Sequence, residues 1–278
     1  MLICQLTNST PEQMMGYLIR TKNGKLIVID GGSHGQSKLL SDAIFAWGGH
    51  VDYWFLTHEH SDHYASLMEL VKNGAPIAID GIYRSLCRGE AERTLPEAEK
   101  KEHLTWLQFE RECGIPLYDF KLGQEFWIDG IKIEVLGIDN PEITVNQLNN
   151  QSVVLRISEG DFSMLFLGDL GVEGGEKLLK TAGDKLKSTA VQMAHHGQKG
   201  VSLDLYDQIG AKYAFWPTPK WLWENNSKYL GGGEPGKGSF ETPQNIEKMN
   251  RLGAVNITSF DYNTVFDTSS MKITTEAD

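Results

Sequence analysis

Cysteine is scarce in this sequence, with three residues in 278, at Cys4, Cys87 and Cys113. An odd and widely spaced set argues against a disulfide framework and is typical of a reducing compartment. A cysteine-based zinc site would need closer clustering than this. The three cysteines are therefore interpreted as small core residues.

Long hydrophobic runs are also absent. No stretch approaches the ~18 consecutive apolar residues that a membrane span requires, and the start of the chain lacks the basic and apolar regions of a leader. We therefore expect a cytoplasmic protein without a membrane partner. With 40% hydrophobic and 23% charged residues, the composition is that of a globular protein. We predict a single domain over residues 1–278.

Positive charge is in short supply, with 26 Lys and Arg against 37 Asp and Glu and a formal net charge of -11. An acidic surface repels nucleic acid and anionic membranes, so extended nucleic acid is not an expected partner. The basic stretch at 177–187 has helical spacing and is interpreted as a solvated face. The composition does not indicate an oligomeric state.

One short segment concentrates groups that bind metals. In THEHSDH, the side chains of His58, His60, Asp62 and His63 follow directly after an apolar strand. Alternate residues of an extended segment project the same way, so His58 and His60 can share one cation. Asp62 and His63 lie where the chain turns into a helix and can face a second cation. Imidazole and carboxylate ligands suit two divalent ions, with zinc favoured and manganese or iron as alternatives.

Two later strand ends carry the same residue types. LFLGD ends in Asp169, which fits the carboxylate bridge of a two-metal site, although a hairpin aspartate is the alternative. VQMAHHG ends in His195 and His196. Neighbouring strand residues point to opposite faces, so one imidazole is expected to bind metal while the other faces elsewhere. We favour His196 as the ligand and His195 as the group that reaches the substrate.

Four other residues are less strongly predicted to belong to the metal site. Asp30 ends the strand LIVID before a Gly-Gly turn and could orient a ligand imidazole, but a turn-forming aspartate fits equally well. His34, His50 and His103 have no histidine or carboxylate motif around them and are interpreted as structural.

The pattern of elements predicts the fold class. Apolar runs bounded by turn residues predict strands, and 3.6-residue periodicity predicts helices. Their succession indicates an α/β (α+β) protein with two sheets between helical layers. The predicted strands are 26–30, 51–57, 124–128, 131–136, 152–157, 162–167, 189–194, 212–216 and 255–258. The predicted helices are 61–72, 90–113, 173–181, 204–209 and 242–252, and the stretch 221–238 is predicted to be an irregular loop.

With these residues assembled, the chain resembles the metallo-β-lactamase superfamily, and within it the hydrolase domain of ComEC/Rec2-like competence proteins. The similar pieces are LIVIDGG, THEHSDH, NNQSVVLRI, LFLGD, VQMAHHG and TPQNIEKMNRLGA, in that order along the chain. The resemblance implies a four-layer αββα sandwich with the metals at one edge of the two sheets.

The resemblance also implies a ligand set. His58 and His60 would hold metal one, and Asp62, His63 and His196 would hold metal two. Asp169 would bridge the two ions.

Two departures from the superfamily pattern bear on this set. The usual further histidine on metal one is missing, because the only histidine between the first cluster and Asp169 is His103, in a charged helix. The competence-like group offers an N-x-x-S segment instead, so Asn149 and Ser152 are predicted substrate-binding residues that line the site. The small residues usual after the cluster are replaced by Tyr64, Ala65 and Ser66, which could reshape the pocket floor.

The predicted activity is hydrolysis of a phosphodiester or phosphate ester, as a small molecule or short phosphoester. Two cations about 3.5–4 Å apart would bridge a hydroxide and make it a nucleophile at neutral pH. Asp62 and His195 are the predicted catalytic residues, His195 as donor to the phosphoryl group or the leaving oxygen. Trp216, Trp221 and Trp223 are predicted to wall a substrate groove, with core packing as the alternative. Possible phosphate contacts, or else ordinary surface residues, are Arg84, Arg88 and Lys220.

Two other functions fit the same residues. One is a metallo-hydrolase of a lactone, thioester or β-lactam, because an acyl oxyanion also needs metals. The other is a non-catalytic metal-binding module, which would bind metal without turnover.

Overall fold

The protein is described here by a computed structural model that covers residues 1–8 and 10–276. The strands are β1 (Leu2–Gln5), β2 (Gly16–Arg20), β3 (Leu26–Asp30), β4 (His50–Val51), β5 (Tyr53–Phe55), β6 (Ala78–Ile79), β7 (Ile82–Arg84), β8 (Leu117–Asp119), β9 (Glu125–Ile128), β10 (Ile131–Gly137), β11 (Val154–Glu159), β12 (Phe162–Phe166), β13 (Ala190–Gln192), β14 (Tyr213–Trp216), β15 (Val255–Thr258), β16 (Asn263–Asp267) and β17 (Lys272–Glu276). The α-helices are α1 (Ser37–Ala46), α2 (Ser61–Lys72), α3 (Gly89–Arg93), α4 (Glu97–Glu112), α5 (Gln147–Asn150), α6 (Val172–Ala182), α7 (Leu203–Ile209), α8 (Lys220–Trp223) and α9 (Thr242–Arg251).

Two large sheets face each other. The first has the strand order β17-β16-β1-β2-β3-β5-β7-β8, and the second has the order β15-β14-β13-β12-β11-β10-β9. The position of β3 between two apolar clusters explains why its sequence is apolar throughout. Ile27 and Ile29 point into the cluster between the sheets, while Leu26 and Val28 point to the opposite face, towards helices. A strand covered on both faces cannot alternate apolar and polar residues.

Helices cover the outer face of each sheet. The first sheet is covered by α1, α2 and α4, and the second by α6, α7 and α9. The buried side chains that these helices contribute include Leu40, Leu67, Trp106, Leu178, Leu205 and Met249. The layers therefore run helix, sheet, sheet, helix, and the predicted αββα sandwich is confirmed.

The fold places four strand ends together. Strands β3 and β5 are parallel neighbours in the first sheet, and β12 and β13 are parallel neighbours in the second. Asp30 is the last residue of β3, and the segments that follow β5, β12 and β13 carry residues 57–63, Asp169 and the 195–196 pair. Carboxyl ends of parallel strands lie at one edge of a sheet, so the candidate residues come from four strands to one rim.

Several elements differ from the predicted ones. The predicted helix 90–113 is two helices, α3 and α4, because Pro96 cannot continue a helix and disfavours helical backbone at Leu95. Helix α1 and the strands β1, β2, β16 and β17 were not predicted at all. The loop 221–238 contains the short helix α8 at its start. Within the described residues, no helix has the length and apolarity needed to cross a bilayer.

Candidate metal centre

The segment 57–63 changes backbone conformation at His60. Strand β5 ends at Phe55, and the backbone of His60 is still extended (φ -90°, ψ 144°), where it precedes the first turn of α2. Asp62 and His63 lie in that first turn, so their side chains project in a different direction from those of His58 and His60. A carboxylate in the first turn of a helix also interacts favourably with the helix dipole. One short segment can thereby supply ligands to two neighbouring metal positions.

The donor atoms of the six predicted ligands meet in two adjoining groups. Asp62, His63, Asp169 and His196 form one group, and His58, His60 and Asp169 form the other; within each group the donor atoms lie within 4.8 Å of one another. Asp169 Oδ2 lies 3.3 Å from His63 Nε2, 3.2 Å from His196 Nε2 and 4.0 Å from His58 Nε2. Asp169 is therefore the residue that the two groups share.

The histidine pair at 195–196 lies in a turn. Strand β13 ends at Gln192, and both His195 (φ 51°) and His196 (φ 53°) have left-handed backbone conformations. The two rings were expected to face opposite ways because the residues were placed on a strand. That reason is wrong, since neither residue lies on a strand. Two successive left-handed residues separate the rings instead, with His196 in the metal-two group and the ring centroids 6.2 Å apart. Such conformations are uncommon outside glycine and concentrate at functional sites.

Hydrogen bonds on the far side of each ring orient the ligands. His63 Nδ1 donates to Asp30 Oδ2 at 2.7 Å, and His196 Nδ1 donates to the Pro217 carbonyl at 2.9 Å. Thr57 Oγ1 donates to Asp30 Oδ2 and lies 3.1 Å from His58 Nδ1, so it accepts from that nitrogen. In the neutral rings of His58, His63 and His196, Nδ1 is therefore the donor, and Nε2 is the atom whose lone pair faces the other ligands.

Asp169 is held from behind by Ser152. The Ser152 side chain is fully buried, and its Oγ accepts a hydrogen bond from the Asp169 backbone N–H at 3.0 Å. Gly168 has φ 56°, and a Cβ there would lie 2.9 Å from Ser152 Oγ, so only glycine fits. Ser152 thus supports a ligand through this hydrogen bond, and the substrate contact predicted for it stays a prediction.

The donor chemistry fits divalent metal ions. Three buried atoms, His63 Nε2, His196 Nε2 and Asp169 Oδ1, make no hydrogen bond of acceptable geometry with the described residues, although carboxylate oxygens lie 3.0–3.3 Å from the two nitrogens. Buried polar atoms are nearly always satisfied, and atoms left without partners call for an ion or a water. Imidazole and carboxylate donors at this spacing suit zinc, manganese or iron. Asp62, His63, His196 and the shared Asp169 would hold one ion, and His58, His60 and Asp169 the other.

The carboxylates and imidazoles of the centre shift each other's pKa. Burial, with the charge of His63 adding to it, lowers the pKa of His58 well below its usual range. Burial would lower the pKa of His63 and His196 too, but Asp169 and its neighbouring carboxylates outweigh it. They raise the pKa of His63 well above its usual value and that of His196 to about 10. Without metal, both of these imidazoles are therefore protonated at neutral pH.

Metal uptake is therefore expected to release protons. At pH 7 zinc must displace the protons of His63 and His196, so about two protons should leave per protein, and affinity should rise with pH towards 10. Calorimetry in two buffers of different ionisation enthalpy measures this number. The variant His34→Gln removes an exposed imidazole paired with Glu69 and should release as many protons as the unchanged protein. Zinc binding without proton release would contradict the assignment of these ligands.

The other histidines and the possible phosphate contacts form ion pairs outside the metal centre. His34 pairs with Glu69 and His50 with Asp80, both on the surface. Each predicted phosphate contact has an acidic partner of its own: Arg84 with Glu110 and Asp119, Arg88 with Asp119 and Asp139, Lys220 with Glu224.

His103 supports the ligand segment from the neighbouring helix. Its Nδ1 lies 2.8 Å from Glu59 Oε2, and Glu59 stands buried between the two metal-one histidines. The same carboxylate oxygen accepts from the Cys87 backbone N–H at 3.2 Å. Sequence reasoning interpreted His103 as structural but had no signal for its partner, because 44 residues separate the two.

The other predicted substrate contacts differ in how close they lie to the predicted catalytic imidazole. Asn149 Nδ2 lies 3.4 Å from His195 Nε2, so this residue is beside the predicted catalytic imidazole. Trp221 is buried and its indole N–H donates to the Pro11 carbonyl at 2.7 Å. Trp223 packs against Trp216 and Phe260, within a hydrophobic cluster. The substrate roles of these residues stay predictions.

Sequence comparison identifies a family and a distant relative. The family described as the metallo-beta-lactamase superfamily matches residues 10–216. ComE operon protein 3 of Bacillus subtilis (strain 168) is 27% identical over 150 residues, which are 54% of this chain and 17% of that protein. The chain thus spans a small part of this relative's length, and the similarity accords with the competence-like resemblance of the motifs.

Solved structures show the same fold at low sequence identity. The metallo-beta-lactamase fold protein YhfI from Bacillus subtilis has a TM-score of 0.55 and 14% identity, covering 99% of each chain. Zinc-bound PqqB from Methylobacterium extorquens has a TM-score of 0.55 and 9% identity, covering 96% of this chain and 100% of that one. From the motifs, the four-layer fold and the family match, this chain belongs to the metallo-beta-lactamase superfamily.

Proposed function

We propose that the protein is a two-metal hydrolase of a phosphodiester or short phosphate ester. The observation that carries the proposal is the position of Asp169. Its Oδ2 lies 3.2 and 3.3 Å from His196 and His63 in one ligand group and 4.0 Å from His58 in the other. A single carboxylate between two adjoining sets of donors is an arrangement that suits a pair of divalent cations.

The charge of the site favours a phosphodiester anion. Two divalent cations bound here would supply Lewis acidity and lower the pKa of a water molecule at the site. The carboxylates of Asp62 and Asp169 would neutralise only part of the positive charge of the two cations. Arg84, Arg88 and Lys220 are paired with other carboxylates. Substrate charge would therefore be neutralised by the metal centre itself. A diester carries one negative charge and matches such a site better than a polyanion does.

His195 is suited to proton transfer at Nε2. Its Nδ1 lies 2.6 Å from the Lys199 carbonyl, which can only accept, so Nδ1 carries a hydrogen. Nε2 is then the atom available to substrate, with the Asn149 amide 3.4 Å away. In the protonated ring, Nε2–H would donate to the phosphoryl group or give a proton to the leaving oxygen. Asp62 would act as a metal ligand at the rim, where 28% of its side chain is exposed.

The metal-one group supports phosphate over an acyl substrate. It has two histidines and the shared Asp169, one donor fewer than the metal-two group. Fewer protein ligands leave more coordination positions for substrate oxygens. A phosphoryl group offers two non-bridging oxygens to a metal pair, whereas a lactone or β-lactam offers one carbonyl oxygen. The acidic chain, with a net charge of -11, also favours a small substrate over extended nucleic acid.

The proposal is tested with bis-p-nitrophenyl phosphate. Protein loaded with zinc or manganese should release p-nitrophenol, lose this activity on chelation and regain it when metal is restored. A lactone, a thioester and a β-lactam, assayed on the same preparation, provide the comparison. If one of these is opened and the phosphodiester is not, the phosphoester assignment is wrong and the metal centre stands. Bound metal without turnover of any of the four would indicate a non-catalytic module.

A further inference from the structure

The glycine-rich loop after α8 is ordered by asparagine side chains. Asn226 Oδ1 accepts from the backbone N–H groups of Lys228 and Gly233, at 3.1 and 2.9 Å. Asn225 Oδ1 accepts from the Phe240 N–H at 3.2 Å. These bonds fold residues 225–240 back on themselves and fix the position of Tyr229. Asparagine side chains that satisfy nearby backbone groups commonly stabilise such loops.

Trp221 joins this loop to the metal-two ligands. Its indole N–H is bonded to Pro11, in the β1–β2 loop, and four residues further on the Met15 N–H donates to the Asp62 carbonyl at 3.2 Å. On its other side, Thr218 Oγ1 donates to the His196 carbonyl at 2.6 Å. Short stretches of chain thus link Trp221 to the two segments that hold Asp62 and His196, whose side chains are 3.0 Å apart.

Tyr229 stands on this tryptophan with a free ring surface. The rings of Tyr229 and Trp221 meet edge to face, with centroids 5.0 Å apart. Trp221 is 7% exposed, whereas Tyr229 is 58% exposed. A large aromatic ring that is fixed on a buried partner yet open to solvent has lost its mobility before any ligand arrives. Such rigid, exposed aromatic rings are typical of binding surfaces.

Tyr229 lies within electrostatic range of two carboxylates. Partial burial, together with the carboxylates of Asp62 and Glu12, raises the pKa of its phenol, so both carboxylates act on the ring. The phenol ring of Tyr229 carries no positive charge that could pair with a second phosphate or a carboxylate of the substrate. The group that covers Tyr229 should therefore be uncharged.

We propose that Tyr229 forms a subsite for a neutral, planar aromatic group of the substrate, with a nucleobase as the expected class. The phosphate of the same substrate would lie at the metal centre beside Asp62, so this inference rests on the proposed function. Stacking on a tyrosine face needs no sequence-specific hydrogen bonds and tolerates every base. The subsite would select nucleotide-like phosphoesters over sugar phosphates.

Binding of two matched phosphates tests the subsite without turnover. Zinc-loaded protein should bind adenosine 5′-monophosphate on the order of tenfold more tightly than ribose 5-phosphate, because only the former carries a base to stack. In Tyr229→Ala and Tyr229→Leu this preference should vanish while ribose 5-phosphate binds as before. Tyr229→Phe keeps an aromatic face and should retain the preference. Isothermal titration calorimetry measures all four proteins.

A control tyrosine is available at the opposite end of the first sheet. Tyr118 is 45% exposed and lies near Lys25 and Asp52, away from the rim that holds Asp30, and Tyr118→Ala should leave both affinities unchanged. Equal binding of the two phosphates to the unchanged protein, or a preference that survives in Tyr229→Leu, would overturn the subsite alone. If neither phosphate binds the zinc-loaded protein, the proposed function fails and the subsite fails with it.

Discussion

The variant Asp169→Asn is expected to lose phosphodiester hydrolysis by roughly a thousandfold, the rate equivalent of several kcal/mol of metal-supplied stabilisation. The asparagine keeps the size of the side chain and the backbone N–H bond to Ser152, but it removes the charge that His63, His196 and His58 share. Metal content, measured by elemental analysis after gel filtration, should fall below two ions per chain.

A matched substitution separates this effect from general damage. Asp161 lies in the hairpin at the opposite end of β12 and is exposed, so Asp161→Asn should keep both metals and full activity. Near-ultraviolet circular dichroism should show intact packing in both variants. If Asp169→Asn retained two tightly bound metals and unchanged turnover, a shared carboxylate would not be the basis of the site.

Residues close together in sequence were predicted well. The dense ligand cluster and helix α2 follow from local patterns, and helix α2 has the predicted bounds, 61–72. The fold class is confirmed for a similar reason, because apolar strands ending in loops with metal-binding side chains leave few architectures. The hairpins at Asp129-Gly130 and Gly160-Asp161 also follow from local sequence, because these residue types favour turns, and φ is positive at Asp129, Gly130 and Gly160.

Residues that act through distant partners were not predictable. Strand β1 is only four residues long and owes its place to pairing with β16, more than 250 residues later. The hydrogen bond between Ser152 and the Asp169 backbone depends on a segment after β12 that is distant from Ser152 in sequence, so local pattern gave no signal for it. Pro217 acts through a backbone carbonyl, which any residue possesses, so its identity carries no signal. Local patterns thus reveal ligands, and tertiary contacts decide what supports them.

The buried Asp30 carries the second large effect that we expect. It is fully buried with φ 57°, and it accepts from the Thr57 N–H and Thr57 Oγ1, both at 2.8 Å, and from His63 Nδ1 at 2.7 Å. Asp30→Ala leaves three buried donors without an acceptor and puts alanine in a left-handed conformation. Breaking a buried charged pair from one side costs about 3–5 kcal/mol, so the free energy of unfolding should fall by that amount in denaturant titrations.

The variant Asp30→Asn separates the effect of Asp30 on protein stability from its effect on metal binding. Asparagine tolerates the left-handed backbone and can still accept from Thr57, so the loss of stability should be smaller than in Asp30→Ala. Its amide N–H₂, however, would face His63 Nδ1 and favour the tautomer in which Nε2 carries the hydrogen. That hydrogen would point at the metal-two position, and zinc affinity should fall about 10- to 100-fold. Asp52→Asn, at the other end of β3, should leave zinc affinity unchanged. Undiminished zinc affinity in Asp30→Asn would show that Asp30 stabilises the fold without orienting His63.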